Sequence, residues 1–401
     1  MAFSIATVVV LALLLGYILQ KVGIPPLVGM LGLGIVFNLF HWLDPSLIAI
    51  GVDLRMIALI IILLRAGFEL SFDTLKQVGR EAILLSFLPA LFEASAITLL
   101  GPYFLPLTRI ESLLLGCVLA AVSPAVVVPM MMHFIDEKRG TQKGIPTLVL
   151  AGASLDDVVV IVAFGAVLSF YLGEKVNLTW ALISIPLSII LGIGVGLIIG
   201  LILFQLFTKY NPRATKRALI ILGCAILLVT AESWLEVLHI PFAGLLSVMA
   251  IGFIILEKQK GMAKELSSKF AKIWIFSEIL LFVLVGAQVD ISVAWSAGLK
   301  GLTLLLIGLF FRSIGTYLST LGSPFTIKER FFIIIAYLPK ATVQAAIGGT
   351  TLIALTARGL NGEPGEMILA MAVLSILLTA ALGSWAISWA GRTLLVQESS
   401  K

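Results

Sequence analysis

Apolar runs near 20 residues long recur from one end of this chain to the other. Each can cross roughly 30 Å of hydrocarbon as a helix. The 401 residues are 60% hydrophobic and 12% charged, whereas a soluble domain has roughly 45–50% apolar and about 25% charged residues. No polar segment is long enough to be a soluble domain. The pattern is that of an all-α polytopic membrane protein. The run from Ala2 to Gln20 has no basic residue before it, and Lys21 follows it. That polarity suits a first span with its amino end outside, and not a signal peptide.

About 13 spans are expected, centred on residues 2–20, 26–42, 53–70, 82–101, 111–133, 145–172, 178–207, 217–235, 241–256, 272–289, 297–320, 331–356 and 366–390. With the amino end outside, the alternate loops and the tail that face the cytoplasm carry 19 of the 27 Lys and Arg residues. The opposite side carries four: Arg109, Lys175, Lys300 and Arg358. This bias orients the chain amino-end-out and carboxy-end-in; a bacterial inner membrane is the expected location. It also accounts for the net charge of +5 without nucleic acid. The cluster from Lys258 to Lys272 reads as a positive-inside loop, with anionic lipid as a possible partner. Cys117 and Cys224 lie in apolar runs and read as small hydrophobes.

Ionisable residues at membrane depth cost at least about 2.5–3.5 kcal/mol and persist when paired, hydrated or functional. Asp156 and Asp157 stand in AGASLDDVVV, inside a 29-residue run from Gly144 to Leu172 with no other charge. Neighbours on a helix point about 100° apart, so one acid can face a wet cavity while the other turns to a neighbouring helix. Two carboxylates this close resist double ionisation. Their oxygens suit a small hard cation, so one seat can hold a proton or an ion in turn. Ser154, Ser123 and opened backbone carbonyls are candidate supporting ligands. Glu93 and Arg312 are each the lone strong charge of a span, and pairing would satisfy both. Alternatively, Arg312 competes with a cation for the aspartates. Glu278 sits either at a cavity mouth or near the interface. Arg65 and Glu69 read as snorkelling residues at a span end.

Two spans carry breakers at mid-depth. One has Pro124 and Pro129; the other has Pro339, Lys340 and then Gly348-Gly349. Proline removes a donor and frees a carbonyl, which a membrane tolerates only inside protein or along a cavity. The two sites lie 215 residues apart, about half the chain. Interrupted helices in corresponding halves point to inverted repeats with two crossing discontinuous helices. Lys340 is then expected to offset the negative helix ends of its own break.

These residues resemble the monovalent cation:proton antiporter superfamily, and within it the Na⁺/H⁺ exchangers of the NHA branch. The motifs are LPALFEA at 88–94, AAVSPAVVVP at 120–129, GIPTLVLAGASLDD at 144–157, YLPKATVQAAIGG at 337–349 and GEMILAMAVLSILLTA at 365–380. The resemblance covers roughly residues 10–390. It implies a Na⁺/H⁺ antiporter fold of 13 spans with a core domain and a dimerisation domain, acting as a homodimer without cofactor. The expected division is 1–50 dimerisation, 51–175 core, 176–260 dimerisation and linker, 261–395 core, and 396–401 a cytoplasmic tail. In that family the second acid, here Asp157, is the principal ligand and proton carrier, with Asp156 beside it. Many electrogenic bacterial members have Lys where Arg312 stands. Arg312 stays charged, so electroneutral exchange of Na⁺ or Li⁺ for H⁺ is expected. A K⁺/H⁺ antiporter or a Na⁺-coupled organic-solute symporter is the alternative. An intramembrane aspartyl protease would need its two acids on separate helices.

Overall fold

The computed structural model describes residues 1–21, 26–173, 178–238, 240–287, 295 and 297–397. Lys175, Lys401 and most of the expected tail lie outside the described residues. The described chain is helical, and its one isolated β-bridge joins Arg139 to Gln397. Four helices lead in: α1 (Ala2–Lys21), α2 (Pro26–Leu39), α3 (Pro45–Ala49) and α4 (Gly51–Gly67). Next come α5 (Phe72–Phe104), α6 (Arg109–Ala120), α7 (Pro124–Asp136) and α8 (Ile145–Tyr171). A middle set follows: α9 (Leu178–Tyr210), α10 (Ala214–Val237), α11 (Gly244–Lys258) and α12 (Lys260–Gly286). The last five are α13 (Gly298–Ser319), α14 (Ile327–Ala336), α15 (Thr342–Ile347), α16 (Thr350–Ala357) and α17 (Glu363–Leu394). Eight candidate spans among the described residues are long and apolar enough to cross a membrane, with α6 and α7 together counted as one.

The same start signal opens both broken helices. Thr108 caps α6 in a box with Glu111, and Thr326 caps α14 in a box with Glu329. Each hydroxyl accepts from the N3 backbone while the glutamate returns to the cap N–H, which satisfies two orphan donors reciprocally. The two boxes sit at opposite ends of α8. Lys143, just before α8, pairs with Glu329 at 2.8 Å. Tyr171, the last residue of α8, donates to Glu111 at 2.6 Å. With 27 residues, α8 is about 40 Å long. The broken helices therefore enter from opposite ends of the bundle, as inverted repeats require.

Packing sorts the helices into two groups. In one, α5 lies on α6, α8 and α13, while α17 lies on α14, α15 and α16. In the other, α12 lies on α2 and α4, and α11 lies on α4 and α9. Small residues allow the close approaches, as is usual where lipid supplies no hydrophobic drive. Gly192, Gly196 and Gly200 form a stripe on α9 that receives the backbone of α11 near Ala243, Ser247 and Ile251. A methyl group at Gly196 would collide with the Ser247 carbonyl, whereas one at Gly223 on α10 meets nothing.

This contrast gives a paired prediction. Gly196→Ala should lower the thermal unfolding temperature of the purified protein, because overpacking costs about 1–3 kcal/mol. Gly223→Ala should leave it unchanged or raise it, since Ala is favoured over Gly in helices by up to about 1 kcal/mol. Equal effects would contradict the close α9–α11 contact.

Candidate ion site

The first break falls at residues 121–123, between α6 and α7, and the second at residues 337–341, between α14 and α15. Pro124 occupies the first turn of α7, where its missing N–H is harmless. Pro129 is accommodated inside α7, so the interruption belongs to Pro124. Pro339 stands within the second break, and a further interruption follows at Gly348-Gly349. The breaks cross and touch: the Ser123 N–H donates to the Pro339 carbonyl at 2.9 Å. The Ser123 hydroxyl lies 3.5 Å from that of Thr342, a partner 219 residues away. Glu93 and Arg312 are separated by the same 219 residues.

A helix leaves its last carbonyls without intrahelical partners. At α6 those carbonyls lie inside the bundle, and the second half of the chain satisfies them. Gln344 Nε2 donates to Val118 at 3.2 Å and to Ala121 at 2.9 Å. Lys340 Nζ donates to Leu119, and Arg312 donates to Ala120 and, through Nε, to Tyr337. Lys340 thus serves the negative end of α6 and not the break that contains it, because the crossing carries its side chain across. Its own backbone N–H is bonded to Thr379 at 2.8 Å.

The same two cations hold a buried carboxylate. Glu93 Oε2 is 3.0 Å from Arg312 Nη1 and 2.8 Å from Lys340 Nζ, with all three side chains fully buried. Arg312 also reaches Asp156 at 3.4 Å, and the Val122 N–H donates to the same Asp156 oxygen at 2.7 Å. Asp156 is therefore turned toward the α7 entrance and the guanidinium. Asp157 points elsewhere, into a cavity of about 360 Å³ between α8 and α9–α11 that Ser154, Ser184, Ser188 and Glu232 also line. Ser154 donates to its own helix at the Leu150 carbonyl, 2.9 Å away. Four buried oxygens around the crossing lack a hydrogen-bond partner: Glu93 Oε1, Asp156 Oδ1, Asp157 Oδ1 and Tyr337 Oη. Such orphans are costly unless water or an ion fills in.

A second crevice, about 330 Å³, opens at the Lys143 end of the bundle. Glu278 lines it with Arg65, His133, Asp136 and Arg392, so Glu278 is a cavity residue. Arg65 pairs with Asp136 and Glu69 accepts from Ser267 at 3.0 Å, so both are fixed and neither snorkels. Among the described residues, no group of three or more His, Cys, Asp and Glu side chains forms a resident metal site.

The family model described as "Sodium/hydrogen exchanger, transmembrane" matches residues 9–393. The chain belongs to the sodium/hydrogen exchanger family. It is 34% identical to mouse sodium/hydrogen exchanger 9B2 over 390 residues, 93% of this chain and 69% of that protein. It is 35% identical to human sodium/hydrogen exchanger 9B2 over 360 residues, 86% of this chain and 64% of that protein. It is 31% identical to human sodium/hydrogen exchanger 9B1, covering 93% of this chain and 74% of that one. The chain thus spans about two thirds of its relatives' length. The fold is that of the sodium proton antiporter MjNhaP1 from Methanocaldococcus jannaschii, with TM-score 0.73, 22% identity and 97% of each chain covered.

An exchanger of this family is a multi-pass membrane protein and a transporter, not an enzyme, and its ions are its substrates. In this exchanger, three residues at the site escaped the reading of isolated charges: Gln344, Tyr337 and Glu232. Gln344 and Tyr337 carry no charge, and their signal was only their place beside the breaks. Glu232 stands near a span end, where an acid is unremarkable.

The shared Glu93 carboxylate generates a second prediction. Glu93→Gln leaves Arg312 and Lys340 with less countercharge inside the bundle. Breaking a buried pair by removing one partner costs on the order of 3–5 kcal/mol, so purified Glu93→Gln should unfold at a markedly lower temperature. Parent-like stability would show that Glu93 does not hold the crossing together.

Proposed function

We propose that this exchanger moves Na⁺ or Li⁺ against H⁺, and that the two ions occupy Asp157, with Asp156 beside it, in turn. The observation that carries the reading is the charge balance of the buried set. Glu93, Asp156 and Asp157 face Arg312 and Lys340, all buried, which leaves one negative charge in excess. Isolated charge in a low-dielectric interior is expensive, so the empty site resists crossing. One proton or one monovalent cation cancels the excess equally well. Both loaded forms then carry the same charge, and exchange is one for one and electroneutral. The guanidinium of Arg312 stays protonated throughout and adds no second proton.

Ser154, on the cavity wall beside Asp157, supplies a supporting oxygen, whereas Ser123 and the carbonyls of the breaks are engaged within the crossing, on the Asp156 side. Movement of one helix group against the other exposes Asp157 alternately to each side. The moving core comprises α5–α8 and α13–α17. The remaining helices form the dimerising scaffold, with α4 and α12 assigned to it on packing. That shifts the boundaries from those expected at residues 51 and 261. The count of 13 spans, the homodimer and an anionic-lipid contact at Lys258–Lys272 belong to the same reading. So does the orientation, with the Lys143 end in the cytoplasm. In a bacterial cell that means the inner membrane, with the inward proton gradient expelling Na⁺.

Two experiments test this. In proteoliposomes, Asp157→Asn should reduce Na⁺/H⁺ exchange to the rate of protein-free liposomes; undiminished exchange rejects the assignment. Imposed membrane voltage should leave the parent's rate unchanged, and net charge movement with clear voltage dependence would reject the one-for-one stoichiometry.

A further inference from the structure

Glu232 lies on α10 across the same cavity from Asp157. Its Oε2 accepts from the Gly244 N–H at 3.2 Å, at the first residue of α11. That helix begins well inside the bundle. The Ala243 N–H bonds the Ser188 carbonyl of α9 at 3.3 Å, and Gly192 closes on the Ala243 backbone. The half-buried Glu232 carboxylate is thereby held on one wall of the cavity. Asp157 forms the facing wall, 7% exposed, with Oδ1 unpartnered. Between them the cavity is mostly apolar, with Trp180, Phe242 and Leu246 among its residues. At about 30 Å³ per water, its volume holds on the order of ten waters, enough for a cation with its first hydration shell.

We propose that Glu232 forms an antechamber site for a hydrated monovalent alkali cation on its way to Asp157. The inference rests on the reading of Asp157 as the exchanged seat. Clefts lined by one sign of charge with apolar walls focus the field and raise the local concentration of counter-ions. The site is one-sided. From the aspartates, the α8 residues lining the cavity run to Val162, toward the Tyr171 end. The crevice at the Lys143 end does not include Glu232, and there Arg65 ties α4 to Asp136 of α7. Glu232 therefore serves cations arriving from the Tyr171 end alone.

The test is the sidedness of the Na⁺ dependence, measured in right-side-out and everted membrane vesicles. Glu232→Gln keeps an oxygen for the Gly244 N–H and removes the charge. It should raise the half-saturating Na⁺ concentration at the Tyr171 end by on the order of tenfold, the low end of steering by charged clefts. The value at the opposite side should not move, and Glu232→Asp should restore the parent behaviour. Raising ionic strength with choline chloride should narrow the gap, because screening weakens steering. No shift, or an equal shift on both sides, overturns the proposal. If Glu232→Gln does not fold, the parent decides: its half-saturating Na⁺ must rise more steeply with ionic strength at the Tyr171 end, and equal slopes overturn the antechamber. Asp157→Asn run in parallel separates the two claims. Exchange persisting there sinks the seat itself. A dead Asp157→Asn beside a parent-like Glu232→Gln sinks only the antechamber.

Discussion

The carboxyl end of α6 stops inside the protein, and four successive carbonyls from Val118 to Ala121 need donors there. Water is scarce at that depth, and an unsatisfied group costs several kcal/mol. Gln344, Lys340 and Arg312 meet all four. Two of those donors are cations and bring a charge problem of their own, which Glu93 and Asp156 answer. One backbone interruption thus dictates a chain of buried polar residues. Each is explained by the one before it, and the last of them lies next to Asp157.

That sequence of compensations stops one charge short of neutrality. The deficit falls beside the carboxylate that faces a cavity, not beside one locked in packing. Glu93 is shared by two cations and Asp156 is held by the Val122 N–H. Asp157 has neither kind of partner among the described residues. The crossing therefore ties the four inner groups to one another and leaves Asp157 Oδ1 without a partner at a cavity wall, the site proposed for the exchanged ions. Groups lying on opposite sides of the cavity, α8 on one and α9–α11 on the other, are those whose relative motion would change access to that site.

Much of this was legible in the chain. The apolar runs marked the spans, the buried charges marked Glu93, Asp156, Asp157, Arg312 and Lys340, and the prolines marked both breaks. What the sequence misplaced was direction. Lys340 looked like a counter-charge for its own break, because a linear reading cannot show that the breaks cross. The Thr-x-x-Glu boxes at Thr108 and Thr326 are plain in the sequence, yet their significance needs α8 between them as a ruler. Arg65 looked like a snorkelling residue because its partner, Asp136, comes from a distant helix. Glu232 is hidden for a related reason: only the packing of α10 against α11 brings it to the cavity wall. Gly67 and Gly252, which let α4 close on α11, likewise show their purpose only in the packed bundle.

A proton and an alkali cation are proposed to exclude each other at one carboxylate, Asp157. The most direct test of this needs no membrane. Purified protein in weakly buffered solution near neutral pH should acidify the medium when Na⁺ or Li⁺ is added, and Asp157→Asn should not. Equal proton release from both, or none from the parent while it binds the cation, would contradict the account.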